Sequence, residues 1–253
     1  MPDQMPLTEK ERILFRHIAD MAERVLGEAR FTAFLNERER QIAEMALKGY
    51  SFSQYRFFGG YAEAQRKVFG VGRPGCLLDD SDFPVKAIIL RHGKGEKLSH
   101  RMVLGSAIAL GISRESIGDI LPHDGVCHIL VLKSVAPVVI EELRRVGGIG
   151  IRADFTEFSE LVPSQEFVRI RSTVSSLRID CLVSMLTGLS REKSAMLIRS
   201  GQVSQSYREQ ENNSARFGPG DVVSVRGYGK FIVDSIESQT RKGRFPVQCR
   251  KYL

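Results

Sequence analysis

Residues 173–203 read TVSSLRIDCLVSMLTGLSREKSAMLIRSGQV, and the architecture of the last third of the chain follows from them. Leu182, Val183 and Leu186 make the apolar face of a short helix that Gly188 ends. Ser190 caps a second helix over 191–200, and Gly201 closes it. On this second helix Ala195 and Ile198 share the core face, which leaves Arg191, Lys193 and Arg199 to point outward. Downstream, short alternating runs at 202–206, 221–226, 231–236 and 245–250 read as strands. Gly218-Pro219-Gly220-Asp221 and Gly227-Tyr228-Gly229-Lys230 supply their turns. Two adjacent helices against a small bent sheet, with cations along one edge, suit the gripping of backbone phosphates. The start of a capped helix adds free N–H groups and a positive dipole end.

Charge concentrates in the same place. Residues 169–253 carry 15 Lys and Arg against 7 Asp and Glu, a net of +8, whereas residues 1–168 carry 22 against 23, a net of −1. The whole basic excess of the chain therefore sits in the segment that holds the helix pair. That balance raises the local concentration of a polyanion and releases its counterions on contact.

Moving toward the N-terminus, the pattern becomes an alternation of strands and helices. Strands are expected over 85–91, 116–121, 126–132 and 149–155, with an apolar helix from Ser99 to about residue 110. A second helix covers 136–146, with Pro137 in its first turn. Strand, helix, strand, strand, helix, strand is the split βαβ order of a ferredoxin-like domain. RNA-recognition motifs share it, but their third strand displays stacking aromatics. Here that strand runs from Gly125 to Val131 with no aromatic, so the segment is expected to be a scaffold. Residues 7–49 read as helix. Leu7, Ile13, Leu14, Ile18, Met21, Val25 and Leu26 give one stripe, Asn36 and Glu39 form a capping box for a second helix, and Gly49 stops it. Phe57-Phe58-Gly59-Gly60-Tyr61 is a turn that leads into a short helical run with Arg66 and Lys67, an aromatic and basic cluster that packing explains better than RNA contact. Cys76 to Ser81 is a connector. The expected fold class is α+β: a mostly helical domain over 1–75, the ferredoxin-like domain over 83–165, and the small helix-and-sheet domain over 172–253.

Several functions are disfavoured. Cys76, Cys127, Cys181 and Cys249 lie far apart with no CxxC pair, which argues against a zinc site or disulfide framework and fits a reducing compartment. His17, His92, His100, His123 and His128 lack metal-ligand spacing, and no GxSxG or phosphate loop occurs, so neither metal nor cofactor is expected. No apolar run approaches the roughly 18 residues of a membrane span, and the first residues lack the apolar core of a secretory signal.

Arg178-x-Asp180, Ser190-Arg191 with Ala195, Gly201-x-Val203 and Gly220-Asp221 resemble the small RNA-binding domain named after the fourth small-subunit ribosomal protein. The longer pattern Thr173–Asp180, with Ser224-Val225-Arg226-Gly227-Tyr228-Gly229-Lys230-Phe231, is similar more narrowly to the YlmH family and its cyanobacterial and plastid relatives. Phe58-Gly59-Gly60-Tyr61 with Arg66-Lys67 extends the likeness to the N-terminal part. One departure stands out: where the domain usually has Val-x-Val-Asn-Gly, this chain has Val203-Ser204-Gln205-Ser206-Tyr207, so no role is carried to Ser206. The resemblance implies a cytoplasmic (or, for a plastid relative, stromal) protein without enzymatic activity that binds the RNA of the large ribosomal subunit and tRNA. It also implies work beside stalled-ribosome rescue factors, while other members are linked to cell division or photosystem function. The RNA-contacting set it implies, together with the helix pair, is Arg178, Asp180, Ser190, Arg191, Lys193, Ser194, Arg199, Gly201 and Lys230, with Arg241, Lys242 and Arg244 as a second basic group.

The main rival is an rRNA-modifying enzyme. Pseudouridine synthases use an Arg-Leu-Asp element that Arg178-Ile179-Asp180 mimics. Asp180, however, opens the RNA-binding domain itself, where an Asp serves as a helix N-terminal charge or a partner for a neighbouring Arg. The HIGH and KMSKS elements of tyrosyl-tRNA synthetases are absent. A protein-binding adaptor for an acidic partner is the third class. The charge split makes a direct prediction: a fragment of 170–253 binds RNA with an affinity that falls steeply along a salt series, while 1–168 binds far more weakly. Equal affinity of the two fragments in filter binding overturns it.

Overall fold

The computed structural model describes residues 7–23, 28–48, 55–72, 75, 77–162 and 167–252. Val25, Leu26, Gly49 and Cys76 lie outside the described residues. The chain divides into two compact units, Met1–Ser164 and Gln165–Leu253.

The first unit holds α1 (Glu9–Glu23), β1 (Arg30–Leu35), α2 (Glu37–Ala46), β2 (Tyr55–Phe58) and β3 (Lys67–Val71). It continues with β4 (Val85–Arg91), α3 (His100–Ala109), β5 (Ile117–Pro122), β6 (Val126–Leu132) and α4 (Ala136–Glu142), then β7 (Arg145–Val146), β8 (Ile149–Gly150) and β9 (Arg152–Thr156). β1, β3 and β2 form one antiparallel sheet in that order, and β5, β6, β4 and β9 another. The element order read from 85 to 155 is present, with a short β7–β8 hairpin inserted before the last strand.

Three expectations about elements are corrected. Residues 30–35 are a strand, not helix: Phe31, Thr32 and Phe34 favour a pleated surface, and the Thr32 hydroxyl accepts the Phe69 N–H at 3.1 Å across a bulge. The run with Arg66 and Lys67 is the entry to β3, because Val68, Phe69 and Val71 bury as strand residues. The helix at 136 ends at Glu142 rather than 146, where Arg145 and Val146 begin to pair with Ile149 and Gly150. Other readings stand: the Asn36–Glu39 capping box is formed on both sides, and Ser99 caps α3 by accepting from Met102 N at 3.3 Å.

The two sheets of this unit close on each other. α3 and α4 cover one face of the four-stranded sheet through Val103, Ala107, Ala136 and Val139 against Ile88, Leu90, Ile129 and Val131. α1 and α2 cover one face of the smaller sheet through Ile18, Met21, Ala43 and Ala46 against Phe69 and Val71. The remaining faces meet, with Phe34, Phe58 and Val68 packed on Val85, Ala87, Leu121 and Leu130. Phe58 stands edge-on to Phe158, ring centroids 5.1 Å apart. Buried Asp119 accepts from Tyr61 Oη at 2.7 Å, from Gln65 N at 2.7 Å and from Arg66 N at 3.1 Å. The Arg66 guanidinium spans the two sheets, donating to Phe34 O and Ile117 O. The aromatic and basic cluster around Gly59-Gly60 is therefore packing.

The second unit consists of β10 (Phe167–Val174), α5 (Ile179–Thr187), α6 (Arg191–Arg199), β11 (Val203–Gln205), β12 (Arg208–Glu209), β13 (Val222–Val225), β14 (Gly229–Ile236) and β15 (Phe245–Tyr252). Its antiparallel sheet has the order β10-β15-β14-β13-β11-β12. α5 and α6 lie on one face, burying Ile179, Leu182, Val183 and Ile198 against Val203, Phe231, Val233 and Val247. β10 was not expected from the sequence. Val168, Ile170 and Val174 alternate along it with Arg169, Arg171 and Thr173, and it is held by eight residue pairs along β15.

Gly60 shows how tightly the first unit closes. Its φ is +92, and a Cβ there lies 2.6 Å from Cδ2 of the fully buried Leu130. Gly60→Ala is expected to destabilise the unit by about 2–4 kcal/mol, left-handed strain plus overpacking, seen as a lower urea midpoint. An unchanged midpoint refutes this packing.

Candidate nucleic-acid interface

The start of the helix pair is organised by one carboxylate. Asp180, in the first turn of α5, is buried, with 4% of its side chain exposed. Arg178 grips it with two parallel bonds, Nε to Oδ1 at 3.1 Å and Nη2 to Oδ2 at 2.9 Å. Arg191, at the start of α6, adds Nε to Oδ2 at 3.1 Å, and the Cys181 N–H donates to Oδ1 at 2.9 Å. Burial alone pushes this carboxyl up, but the hydrogen bonds and charges of Arg178 and Arg191 outweigh it and hold the carboxyl below its ordinary value. Segment 213–217 is laced to the same point: Ile179 N donates to Ala215 O at 2.8 Å, and Phe217 N to Leu177 O at 3.2 Å.

The sequence-derived set is thus divided by the structure. Arg178 and Arg191 come together at Asp180 with their side chains still 38% and 56% exposed. Lys193 and Arg199 are exposed on α6. Ser190 is exposed and caps α6 by accepting from Lys193 N at 3.3 Å. Two members are corrected as direct contacts. Asp180 is enclosed by its partners, and Ser194 has no exposed surface, its hydroxyl donating to Ser190 O at 3.0 Å. Gly201 serves the turn, with φ +68 and Glu209 standing where a Cβ would go. Lys230 is not brought to the helix edge. Phe231 and Val233 point to the helices, so Lys230, one residue away on β14, faces the opposite side of the sheet.

The structure adds residues that the sequence reading did not place together. A polar groove of about 350 Å³ is lined by Ser172, Thr173 and Ser175 from β10 and its end, Ser184 from α5, and Arg191 and Arg244. Arg244, in the loop before β15, donates Nε to Thr173 Oγ1 at 2.8 Å and Nη2 to Thr173 O at 2.7 Å. Hydroxyls and guanidinium groups converging on one concave surface are the chemistry that takes phosphate oxygens. The sequence offered Arg191, Arg244 and the hydroxyls of 172–176 as separate signals, and the β10–β15 pairing is what joins them. Among the described residues no group of three or more His, Cys, Asp and Glu is arranged to hold a metal, and no helix is long and apolar enough to cross a membrane.

Over 221 residues the chain is 31% identical to a Bacillus subtilis (strain 168) protein named ribosome-associated protein quality control protein P2, covering 86% of this chain and 85% of that one. Residues 79–160 match the family described as a putative RNA-binding domain in YlmH. The chain belongs to the YlmH family. Its fold is also similar to the solved structure of cell division protein ylmH from Streptococcus pneumoniae, with a TM-score of 0.55 at 15% identity over 64% of this chain and 99% of that one. The segment matched by the YlmH domain lies in the first unit, on the sheet whose helix-free face is closed by Phe34 and Phe58. That face is not open to stacked bases, so a nucleic acid meeting this segment meets its loops, helices or strand edges.

Asp180→Ala is expected to destabilise the second unit by about 2–3 kcal/mol at neutral pH, because two guanidiniums and a backbone N–H lose a charged acceptor. The native carboxyl is held low, so this stabilisation is complete above about pH 4 and disappears as pH falls through the lowered native value. Urea titrations of native and variant protein should therefore converge in acid; a gap that persists there refutes the assignment.

Proposed function

We propose that this YlmH-family protein is a non-catalytic RNA-binding factor that docks on the large ribosomal subunit through the edge of its second unit, in quality control of stalled translation. The carrying observation is the placement of Arg191 and Arg244 around a hydroxyl-lined groove, beside exposed Lys193 and Arg199, in a segment with a net charge of +8. The name of the Bacillus relative and the description of the matched domain both support ribosome-associated RNA binding. On this reading rRNA and tRNA are the ligands, rescue factors are neighbours on the same particle, and the first unit presents its outer surfaces as a second, weaker contact.

The reading without catalysis rests on Asp180. Its carboxylate resembles the synthase Arg-Leu-Asp element in sequence, yet it is buried and held from two sides by Arg178 and Arg191. A nucleophile or general base needs access to the reacting atom and a carboxylate that is not spent on structural partners. The consequence for RNA binding is that Arg178 and Arg191 act partly through the fold, so they are poor probes of the surface. Lys193 and Arg199 are the better ones.

Lys193→Ala combined with Arg199→Ala is expected to leave the melting temperature unchanged and to reduce co-sedimentation with large subunits. It should also lower the slope of log affinity against log salt by about two charges. If the folded double variant pellets as completely as the native protein at physiological salt, the helix edge is not the docking surface. Incubation of native protein with rRNA should leave all nucleotide masses unchanged.

A further inference from the structure

The face of the second unit's sheet that α5 and α6 do not cover carries a row of rings and cations. Lys230 Nζ lies 5.1 Å from the Tyr207 ring centroid and 4.7 Å from that of Tyr252. The Phe167 ring stands edge-on to Tyr252 at 4.8 Å, and the Arg250 guanidinium lies 4.8 Å from Phe167. The row thus crosses the sheet from the β11–β12 turn through β14 and β15 to β10. All five side chains are partly exposed.

Two features of this row run against the stability of the fold. The β11–β12 hairpin turns on two residues, Ser206 with φ +48 and Tyr207 with φ +65, both left-handed. Such turns favour Asn-Gly, because a Cβ at positive φ crowds the following carbonyl. This chain keeps a tyrosine where glycine fits best, and the ring is delivered beside Lys230. Arg169 and Arg250 are directly paired across β10 and β15. Like charges in that position repel, and Asp234, which bonds Arg250 Nε at 2.8 Å, compensates for one of them. Strain and repulsion kept at one surface are expected where a ligand repays them.

We infer that this face is a stacking platform for unpaired nucleotides of RNA, with Tyr207 and Tyr252 taking bases and Lys230, Arg169 and Arg250 taking the phosphates between them. The inference rests on the RNA-binding function proposed above and adds a second surface, on the opposite side of the sheet from the helices, with a different preference. Aromatic rings accept any base through its π-face, while cations alongside follow the backbone. A base stacked on Tyr207 gives up part of a cation–π contact with Lys230, which at an exposed site is worth less than a stack, and the ammonium is then released toward a phosphate.

The test uses the full chain and three labelled probes in fluorescence anisotropy: a decamer of oligo(A), an abasic decamer of the same backbone charge, and a ten-pair RNA duplex. The native protein should prefer oligo(A) to the abasic strand. Tyr207→Gly should weaken oligo(A) binding between about fivefold and a hundredfold, the loss of one stacked base, with abasic and duplex affinities unchanged. The same variant should melt about 2–4 °C higher as the turn relaxes. Tyr207→Phe should bind oligo(A) as the native protein does. Equal affinity for oligo(A) and the abasic strand, or full binding by folded Tyr207→Gly, overturns the platform. So does displacement of oligo(A) by polyglutamate at equal charge, which identifies an acidic protein as the occupant. If the native chain binds the duplex and pellets with large subunits while these platform results fail, only the platform is lost. Failure of the chain to bind any of the RNAs removes the proposed function as well.

Discussion

The Asp180 carboxylate ties together the turn at Arg178, the start of α6 at Arg191, and the first turn of α5 itself. A buried carboxylate is costly unless it is paired and its lone pairs are filled. Here four donated hydrogen bonds do both, and the geometry of two short helices follows. Each helix has only nine residues, too few to persist without tertiary support. Their angle and the position of the groove beside them are consequences of this cluster and of the apolar faces beneath.

The first unit shows how a topology shared with RNA-recognition domains loses the feature that makes those domains bind. Its four-stranded sheet has helices on one face, as the strand order requires, but its other face is occupied by a second sheet through Phe34, Phe58 and Val68. Gly60 permits that approach, because a Cβ there would lie 2.6 Å from Leu130 Cδ2, and Gly59 permits the turn beside it, where a Cβ would lie 2.4 Å from the Arg66 carbonyl oxygen. Arg66, which looks in sequence like a candidate for phosphate, spends its guanidinium on two backbone carbonyls within the interface. The absence of aromatics from the third strand and the burial of that face are two aspects of one fact, since Leu130 faces the partner sheet.

In the second unit the sheet separates two kinds of surface. The helix side and the β14–β15 loop present a groove of hydroxyls and guanidiniums, while the opposite side presents rings interleaved with cations. Strand alternation alone sends Lys230 and Phe231 to different sides, so two neighbours in one motif, both part of the family resemblance, serve separate surfaces.

Much of this was legible in the chain. The net charge of +8 after residue 168, the caps at Asn36, Ser99 and Ser190, the stops at Gly188 and Gly201, and the element order from 85 to 155 are local properties, set by side-chain chemistry within a few residues. What only tertiary structure decided depends on pairing over long separations. β1 and β10 become strands because β3 and β15 lie beside them, supplying hydrogen bonds that no short window contains. Arg178, Arg191 and Arg199 are all arginines of one basic segment in sequence. Only the fold assigns the first two to a buried carboxylate and leaves the third on the surface, because a charge's role is set by which groups share its desolvated neighbourhood.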